Sequence, residues 1–355
     1  MFFSQAIGSG RPDNSRMQPS RAVSRQREGL RRSCLSRQSI MAPTNTVLTS
    51  WFDEHRAFLW GLSYRITGSA ADADDIVQET FVRACQHAPD HLDDPRRWLM
   101  RVAVNAGRDV LRRRKRRAYV GPWLPTPIET SDDDAPPSFE PTVDGWTLEG
   151  RYDLLESASL AFLHALEALT PTQRAVLLLR DVFDYSAAEV GAALDLSEGN
   201  VRTIHHRARR VMEAYERRRA VPTTTNRART DMALQRFLQL LGVGDVHGIE
   251  RMLAADVQAV TDGGGEFTAS LRPIVGAGGV AQFFARLAAS RSGRMHVAIR
   301  SVNEFPAALL EFESPRGRRP PRLLLSIDLD RAGLIANVRV IASSTKLAAI
   351  HRKAA

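Results

Sequence analysis

The stretch "YSAAEVGAALDLSEGNVRTIHHRARRVM", from Tyr185 to Met212, decides the fold of the middle of this chain. Its apolar residues recur at helical spacing on both sides of "DLS", which predicts a short helix over residues 187–194, a turn, and a second helix over residues 198–212. A helix-turn-helix of this kind places its second helix in the major groove of DNA. An ordinary helical hairpin with a solvated basic face is the alternative. The predicted core contacts of the two helices are Ala188, Val190, Leu194, Leu196, Val201 and Ile204.

The outward face of the second helix is polar and basic. Asn and Arg side chains can read base edges, while Arg side chains and a helix N-terminus hold phosphates. His205 and His206 lie beside arginines, which are the wrong surroundings for a metal site, so we expect no metal. The predicted DNA contacts on this helix are Ser197, Asn200, Arg202, Thr203, His206, Arg209 and Arg210.

The composition is that of an ordinary globular protein. A chain of 355 residues has room for two or three domains with apolar cores. No apolar run approaches the roughly 18 residues of a membrane span. The two cysteines, Cys34 and Cys85, have no C-x-x-C spacing that would indicate a metal site or a redox pair. We therefore expect a cytoplasmic protein with no cofactor and no membrane partner. Its formal net charge of +9 favours nucleic acid as a partner.

The N-terminal tail differs from the rest of the chain. Residues 1–40 hold eight Arg against two acidic residues, and so account for +6 of the net charge. They have few apolar side chains and no periodicity, which predicts a disordered basic tail over residues 1–47. Two interpretations are open: the tail adds nonspecific affinity for DNA, or it is upstream sequence that is not translated, with Met41 as the start.

Three helices are predicted between residues 48 and 118. "WFDEHRAFLWGLSYRITG" is amphipathic and ends at Gly68. "SAADADDIVQETFVRACQHA" begins with a Ser cap and an acidic first turn. "DPRRWLMRVAVNAGRDVLRRRKRR" begins near Pro95 and ends in a basic run that would neutralise phosphates. The predicted apolar stripe of this third helix is Trp98, Leu99, Val102, Ala106 and Val110.

Residues 55–117 and 155–216 together resemble a bacterial sigma factor of the extracytoplasmic-function type. "DADDIVQETFVRA" resembles the segment of that family that docks on the RNA polymerase clamp. "WLMRVAVNAGRDVLRRRKRR" is similar to the helix that reads the minus-ten element, and its Asn-x-x-x-Asp-x-x-Arg pattern is matched by Asn105, Asp109 and Arg112. "LTPTQRAVLLLRDVFDYSAAEVGAALDLSEGNVRTIHHRARR" resembles the module that reads the minus-thirty-five element.

The resemblance implies specific partners and site residues. The partners are core RNA polymerase, at its clamp and flap, and promoter DNA. The polymerase-binding residues would be Asp72, Asp74, Asp75, Gln78 and Glu79, whose carboxylates and amide suit basic groups on a partner surface. The minus-ten DNA-binding residues would be Asn105, Asp109, Arg112, Arg113 and Arg116. A sigma factor performs no chemistry itself, so we expect no catalytic residues and no enzyme.

The chain beyond residue 228 changes character. A helix over residues 231–253 precedes runs with strand-like alternation, namely "VQAVTDGGG", "EFTASLRPIVG", "MHVAIRSV", "ALLEFES", "RLLLSIDLD" and "IANVRVIAS", with "GVAQFFARLAAS" as a further helix. Helices followed by a sheet predict an α+β domain. The polar side chains that a pocket in it could use are Asp262, His296, Glu311 and Asp328, but no pair among them has a spacing that indicates acid–base chemistry.

The stretch "GPWLPTPIE", residues 121–129, lies in the linker between the two predicted helical domains. Its "WLPTPI" resembles the Trp-Leu-Pro-x-Pro signature of a sigma-factor subgroup that carries a C-terminal SnoaL-like, NTF2-like domain, and "DGGG" at residues 262–265 matches a second motif of that subgroup. Its third motif, Asn-Pro-Asp-Lys-Leu, is here "ASSTKL", which retains only Lys346 and Leu347. Prolines keep the linker extended, so Trp123, Leu124 and Pro125 are predicted to dock near the turn formed by Asp262, Gly263, Gly264 and Gly265. A plain β-turn with tolerant glycines is the alternative for that motif.

The predicted fold is multidomain, with two all-α domains for polymerase and DNA followed by a cone-shaped α+β domain of the NTF2-like type. The predicted bounds are a tail over 1–47, a region 2 domain over 48–118, a linker over 119–150, a region 4 domain over 151–219 and the NTF2-like domain over 228–345. The resemblance implies a sigma factor regulated in cis by this last domain, without a separate anti-sigma factor. Small-ligand binding in that domain is the alternative to a protein-contact role. The alternative for the whole chain is a polymerase-independent DNA binder fused to a ligand-sensing or enzymatic domain.

Overall fold

The computed structural model describes residues 45–89, 92–116, 119–130, 154–290, 295–313, 317–348 and 350. The tail at 1–44, the acidic run of the linker and Cys34 lie outside these residues. Along the described chain, helices precede the sheet. Among the described helices, none is both long and apolar enough to cross a membrane.

The first helical unit has three helices that pack on one another in every pairing: α1 (Asn45–Thr67), α2 (Ala70–His87) and α3 (Pro95–Arg116). Gly68 adopts a left-handed conformation and ends α1, as predicted. The Ser69 hydroxyl caps α2 by accepting a hydrogen bond from the Asp72 amide. The predicted stripe of α3 is partly correct: Leu99 and Ala106 are buried, Trp98 and Val110 are partly buried against the core, and Val102 is partly exposed. Gly107 lets the helix pack closely on Ile66, where an added Cβ would come within 2.7 Å of a side-chain methyl. The buried residues of α3 are Leu99, Met100, Ala103, Val104, Ala106, Gly107 and Leu111.

The second helical unit contains the predicted helix-turn-helix. Its elements are α4 (Leu154–Ser157), α5 (Leu160–Ala165), a 3₁₀ turn (Leu166–Ala168), α6 (Pro171–Asp181), α7 (Ala187–Leu194) and α8 (Glu198–Arg217). The Ser186 and Ser197 hydroxyls cap α7 and α8. The turn between them is tight at Gly191, where a Cβ would lie 2.6 Å from the Leu196 carbonyl oxygen. In the core of this motif, Ala187 is buried in place of the predicted Ala188.

The two helical units share one apolar core, which extends from Leu48 in α1 to Met212 in α8. Buried polar contacts cross the same interface. Arg65 Nε donates to Ser157 Oγ over 2.7 Å, and Arg174 Nη1 donates to the Ile66 carbonyl over 2.9 Å. Because both arginines are almost fully buried, the units are held in one defined orientation.

The remaining described chain, residues 224–350, is called the extension below. It has α9 (Thr224–Val243), α10 (Val246–Met252), β1 (Leu253–Asp262), β2 (Ile274–Val275), α11 (Ala277–Ala289), β3 (Met295–Val302), β4 (Phe305–Phe312), β5 (Arg322–Leu329), β6 (Ile335–Ile341) and α12 (Ser344–Leu347). The strands form one sheet in the order β2-β1-β6-β5-β4-β3, in which only β1 and β6 pair in parallel. The predicted helix over 231–253 is two helices, because Gly244 turns the backbone into the left-handed region. The predicted strand "EFTASLRPIVG" is mostly loop, with only Ile274–Val275 paired.

The two faces of this sheet have different neighbours. Alternate residues such as Val257, Leu325 and Val338 pack under α9 and α11. The residues between them, including Val260 and Leu324, contact the linker and the second helical unit instead; this second core cluster also contains Leu124, Leu160, Val302, Ala307, Leu309, Ile341, Leu347 and Ile350. The predicted fold class of two all-α units and an α+β domain is confirmed.

Candidate functional site

The acidic residues predicted to bind a partner lie on one exposed side of α2. Asp74, Asp75, Gln78 and Glu79 are exposed, whereas Asp72 is partly buried. The Trp60 indole donates to Asp74 over 2.9 Å, and partial burial raises the pKa of that carboxyl. Asp75 and Gln78 therefore present their polar groups to solvent, next to Asp74, which already has a hydrogen-bond partner within the protein.

The basic end of α3 is largely exposed. Arg112, Arg113 and Arg116 are exposed, and Arg112 donates to Asp109 one turn earlier over 2.9 Å. Asn105 is half-buried, and its Oδ1 accepts a hydrogen bond of 3.1 Å from Arg108.

Arg108 is tied to the other helical unit. Its Nη2 donates to Thr172 Oγ1 over 3.2 Å, and burial lowers the pKa of its guanidinium. Arg108 therefore links Asn105, the side chain predicted to read a base, to Thr172 in helix α6.

Helix α8 carries its predicted DNA contacts on an open face. Ser197, Asn200, Arg202, Thr203, His206 and Arg210 are exposed, and Arg209 is partly exposed. A groove of about 370 Å³ runs beside them and is lined by Arg180, Ser186, Ala187, Glu198, Arg202, His205, His206 and Arg209. His205 differs from its neighbour, because its Nε2 lies 2.7 Å from Asp181 Oδ1 in a partly buried pair. Arginines outnumber acidic side chains along this groove, and such a charge balance favours binding to a phosphate backbone.

Residues 119–130 of the linker, called the linker segment below, lie against the extension. Leu124 is fully buried among apolar residues of the sheet, and Trp123 and Pro125 pack at Gly68. A Cβ added at Gly68 would come within 2.8 Å of the Trp123 ring. The end of the segment adds to the sheet edge, where Thr130 N donates to the Ser301 carbonyl of β3 over 2.8 Å.

Asp262 is the centre of the contact between the linker segment and the extension. One carboxylate oxygen accepts from the Leu124 amide over 2.8 Å and from Lys346 over 2.6 Å. The other accepts from the Tyr119 hydroxyl over 2.6 Å and from the Gly264 amide over 2.9 Å. Since Asp262 is almost fully buried, these donors replace the water that its charge has lost.

Lys346 joins three parts of this contact. It also donates to the Leu124 carbonyl over 2.5 Å, and its Nζ lies 4.1 Å from the centre of the Trp123 ring. Burial lowers the pKa of Lys346 to about 8, although the Asp262 carboxylate opposes this shift. Burial likewise raises the pKa of Tyr119, and the neighbouring Asp262 raises it further. The two residues of the family motif that "ASSTKL" retains, Lys346 and Leu347, are both buried.

The glycines of the "DGGG" motif permit a close approach to α12. Gly264 has a φ of +65°, and a Cβ there would lie 2.6 Å from Ser343 Oγ. Gly265 also has a positive φ, and a Cβ on Gly263 would lie 2.4 Å from the Phe267 carbonyl oxygen. The backbone forms a turn here, but one that also needs small residues for packing.

Asn303, in the turn between β3 and β4, was missed by the sequence analysis. It is fully buried, with its Oδ1 accepting from the Ile128 amide over 2.8 Å. Its Nδ2 donates to Tyr64 Oη over 2.8 Å and to the Ala158 carbonyl over 2.7 Å. One side chain of the extension therefore contacts the linker segment and both helical units. The positive φ of Asn303 and Glu304 marks a hairpin turn. The dipeptide "NE" between two strand-like runs could have predicted this turn, but not the contacts that the Asn303 side chain makes.

The four polar side chains that a pocket in the extension could use do not lie under its helices. The strand register and alternation place Asp262, His296, Glu311 and Asp328 on the face opposite the helices. There Glu311 pairs with Arg322, and Asp328 pairs with Arg339 beside His164 of α5. The described side chains buried under α9 and α11 are apolar apart from threonines.

Two segments of the chain match known family models, and the chain is similar to characterised proteins. Residues 51–117 match the family model described as Sigma-70 region 2, and residues 159–212 match Sigma-70, region 4. The chain is 32% identical over 237 residues to the ECF RNA polymerase sigma factor SigJ of Mycobacterium tuberculosis, covering 66% of this chain and 71% of that relative. It is 36% identical over 178 residues to SigG of the same species, covering 44% of this chain and 45% of SigG. The crystal structure of M. tuberculosis SigJ aligns with 85% of this chain and 98% of its own, with a TM-score of 0.62 and 26% identity.

Proposed function

The chain belongs to the extracytoplasmic-function RNA polymerase sigma factors, and from this premise we propose how its parts divide the work. It directs promoter-specific transcription initiation by core RNA polymerase. Region 2 corresponds to α1–α3, and region 4 lies within α4–α8. Membership of the family excludes the alternative of a polymerase-independent DNA binder.

We assign the two surfaces by their chemistry. The exposed Asp75, Gln78 and Glu79 of α2 contact basic groups of the polymerase clamp, with Asp72 and Asp74 beside them. The basic end of α3 contacts minus-ten DNA, and the open face of α8 contacts the minus-thirty-five element in the major groove. Region 4 also contacts the polymerase flap.

The structure has a closed arrangement of these surfaces. Arg97 of α3 pairs with Glu189 of α7 over 2.6 Å, and Arg108 of α3 bonds to α6. The two promoter elements are named for positions roughly 25 base pairs apart, which at 3.4 Å per pair is about 85 Å of DNA. Helices in direct contact cannot serve sites at that separation. The direct contact between α3 and region 4 is the observation that carries the proposal, and we infer that this state must open before initiation.

The extension stabilises the closed state in cis. It binds the linker between regions 2 and 4 through Asp262 and Lys346, and it contacts both regions through Asn303. We therefore propose that it takes the place of a separate anti-sigma factor. The apolar filling beneath α9 and α11 supports a protein-contact role over an enzymatic or ligand-binding one.

Run-off transcription by the full-length protein at limiting core polymerase tests this role. Asp262→Asn removes the charge that pairs with Lys346, so we expect a severalfold rise in promoter-specific transcript. Asp231→Asn is the matched control, since Asp231 bonds only to Gln235 on its own helix among the contacts described for it. Equal transcript from both variants and the wild type would contradict regulation by the extension. Leu124→Ala, which loosens the same contact without stranding a buried charge, repeats the test if Asp262→Asn folds poorly.

A further inference from the structure

One arginine of the basic run on α3 faces inward. Arg112, Arg113, Lys115 and Arg116 are exposed, whereas the Arg114 side chain is only 18% exposed. The sequence predicts phosphate contacts for this basic run as a whole, but Arg114 is not among the DNA-binding residues predicted individually. Arg114 lies in the same basic turn as these residues, so loss of its inward contacts would free it for the DNA that they face.

Arg114 contacts three different parts of the protein. Its Nη2 donates to Asp72, at the start of the polymerase-binding helix α2, over 3.0 Å. Its guanidinium carbon lies 4.0 Å from the centre of the Trp123 ring in the linker segment. Its Nη1 lies 3.9 Å from Glu167 of region 4. The one side chain thereby connects a polymerase-binding acid, the linker and the partner region.

The guanidinium is incompletely satisfied in this state. Nη1 is buried and makes no hydrogen bond, since the Glu167 oxygen is beyond hydrogen-bond range. The Trp123 ring is shared with a second cation, Lys346, whose Nζ lies 4.1 Å from its centre. A phosphate would offer Arg114 two charge-assisted hydrogen bonds in place of these contacts. In the closed state Arg114 is therefore buried with at least one of its hydrogen-bond donors, Nη1, unpaired.

We propose that Arg114 is a DNA-phosphate contact that the docked linker withholds from DNA. Stacking on Trp123 covers one face of the guanidinium, while Asp72 occupies one edge nitrogen and the other is buried beside Glu167. A phosphate therefore cannot reach the guanidinium while the linker segment is docked, so promoter DNA and the linker segment compete for it. Polymerase that engages Asp72 removes one of the competing partners, and so favours release of Arg114 to DNA. This inference rests on the proposed regulatory role of the extension.

Two measurements on the full-length protein test both halves of the proposal. The first is hydrogen–deuterium exchange of peptides covering residues 121–130, where the Leu124 amide is bonded to Asp262 and the Thr126 amide to the Gly68 carbonyl. The second is the salt dependence of promoter binding by the protein reconstituted with core polymerase, since each lost phosphate contact lowers the slope of log K against log salt by about 0.9.

Arg114→Ala should change both readouts. Loss of a cation–π contact corresponds to roughly 2- to 30-fold faster exchange of the linker peptides, and the salt slope should fall by about 1. Arg113→Ala, the exposed neighbour, should lower the slope by the same amount and leave the exchange at the wild-type rate. Arg114→Lys keeps the charge but loses the planar stack, so it should speed exchange with a nearly normal slope.

Wild-type exchange in Arg114→Ala would overturn the linker half of the proposal, and an unchanged salt slope would overturn the DNA half. Asp262→Asn separates these failures from failure of the regulatory role. If Asp262→Asn speeds exchange and raises transcription while Arg114→Ala changes neither the exchange nor the salt slope, only the inference about Arg114 is wrong. If Asp262→Asn speeds exchange and transcription stays at the wild-type level, the regulatory role itself is wrong.

Discussion

Replacing Asn303 by glycine removes a buried side chain that bonds to three parts of the protein and leaves the backbone of its turn unstrained. Asn303 has a φ of +49°, which glycine adopts freely. The change therefore isolates the side-chain hydrogen bonds from the cost of the turn. Alanine would mix the two effects.

The expected loss follows from the bonds that disappear. The Ile128 amide and the Ala158 carbonyl lose their Asn303 partner, while Tyr64 Oη still donates to the Thr126 carbonyl over 2.6 Å. At about 0.5–1.5 kcal/mol for each of three bonds, with more for a donor left buried and unpaired, the loss is roughly 2–4 kcal/mol. That is about a 30- to 900-fold shift away from the closed state.

Urea unfolding and hydrogen exchange of residues 126–130 measure this loss. Glu304→Gly is the matched control, because Glu304 also has a positive φ in the same turn and its pair with Arg227 is at the rim. A partly exposed pair of that kind contributes about 0–1 kcal/mol. If Asn303→Gly destabilises no more than Glu304→Gly, the side chain does not hold the regions together.

Two further predictions concern the same interface. Gly264→Ala should lower the free energy of unfolding by at least about 1 kcal/mol more than Gly244→Ala. Both glycines have a positive φ, but only at Gly264 would the added Cβ meet a neighbour, Ser343. Equal losses for the two variants in urea unfolding would refute this prediction. Burial and the nearby positive Arg339 lower the pKa of His164 from 6.5 to about 4. The unfolded state then binds more protons between these values, so stability is retained above pH 6.5 and is lost as the pH falls towards 4. Between pH 6.5 and 5, the free energy of unfolding of the wild type, measured in urea, should fall by roughly 1–2 kcal/mol more than that of His164→Asn. Equal falls for the two proteins would contradict the lowered pKa of His164.

Local signals made the helical regions predictable. The Ser69 cap and the apolar periodicity predicted α2, and the apolar spacing on both sides of "DLS" predicted α7 and α8 to within a few residues. Each of these signals acts between residues close in sequence. The charged faces followed from the same periodicity. A contact such as Asn303 to Tyr64 joins residues 239 positions apart, and nothing in either local stretch indicates the other.

The four polar candidates of the extension show a second limit of the sequence. Alternation along β1, β4, β5 and β6 correctly groups residues by face, but it does not tell which face the helices cover. Asp328 was therefore considered for a pocket, whereas it lies at the interface with region 4. Asp262 was considered for a pocket as well as for the linker contact, and its bonds are with the linker. Both faces of the sheet are apolar enough to be buried, so hydropathy could not decide between them.

The chemistry of this interface suits a contact that must open. Buried ion pairs such as Asp262–Lys346 add little net stability, because the desolvation of two charges offsets most of their attraction. They are nevertheless costly to mispair, so they define one docking geometry without making it permanent. An interface built only from residues like Leu124 would gain free energy with every buried side chain and would resist opening. Placing charges at its centre, with Arg114 incompletely bonded beside them, leaves the closed state specific yet within reach of displacement by polymerase and DNA.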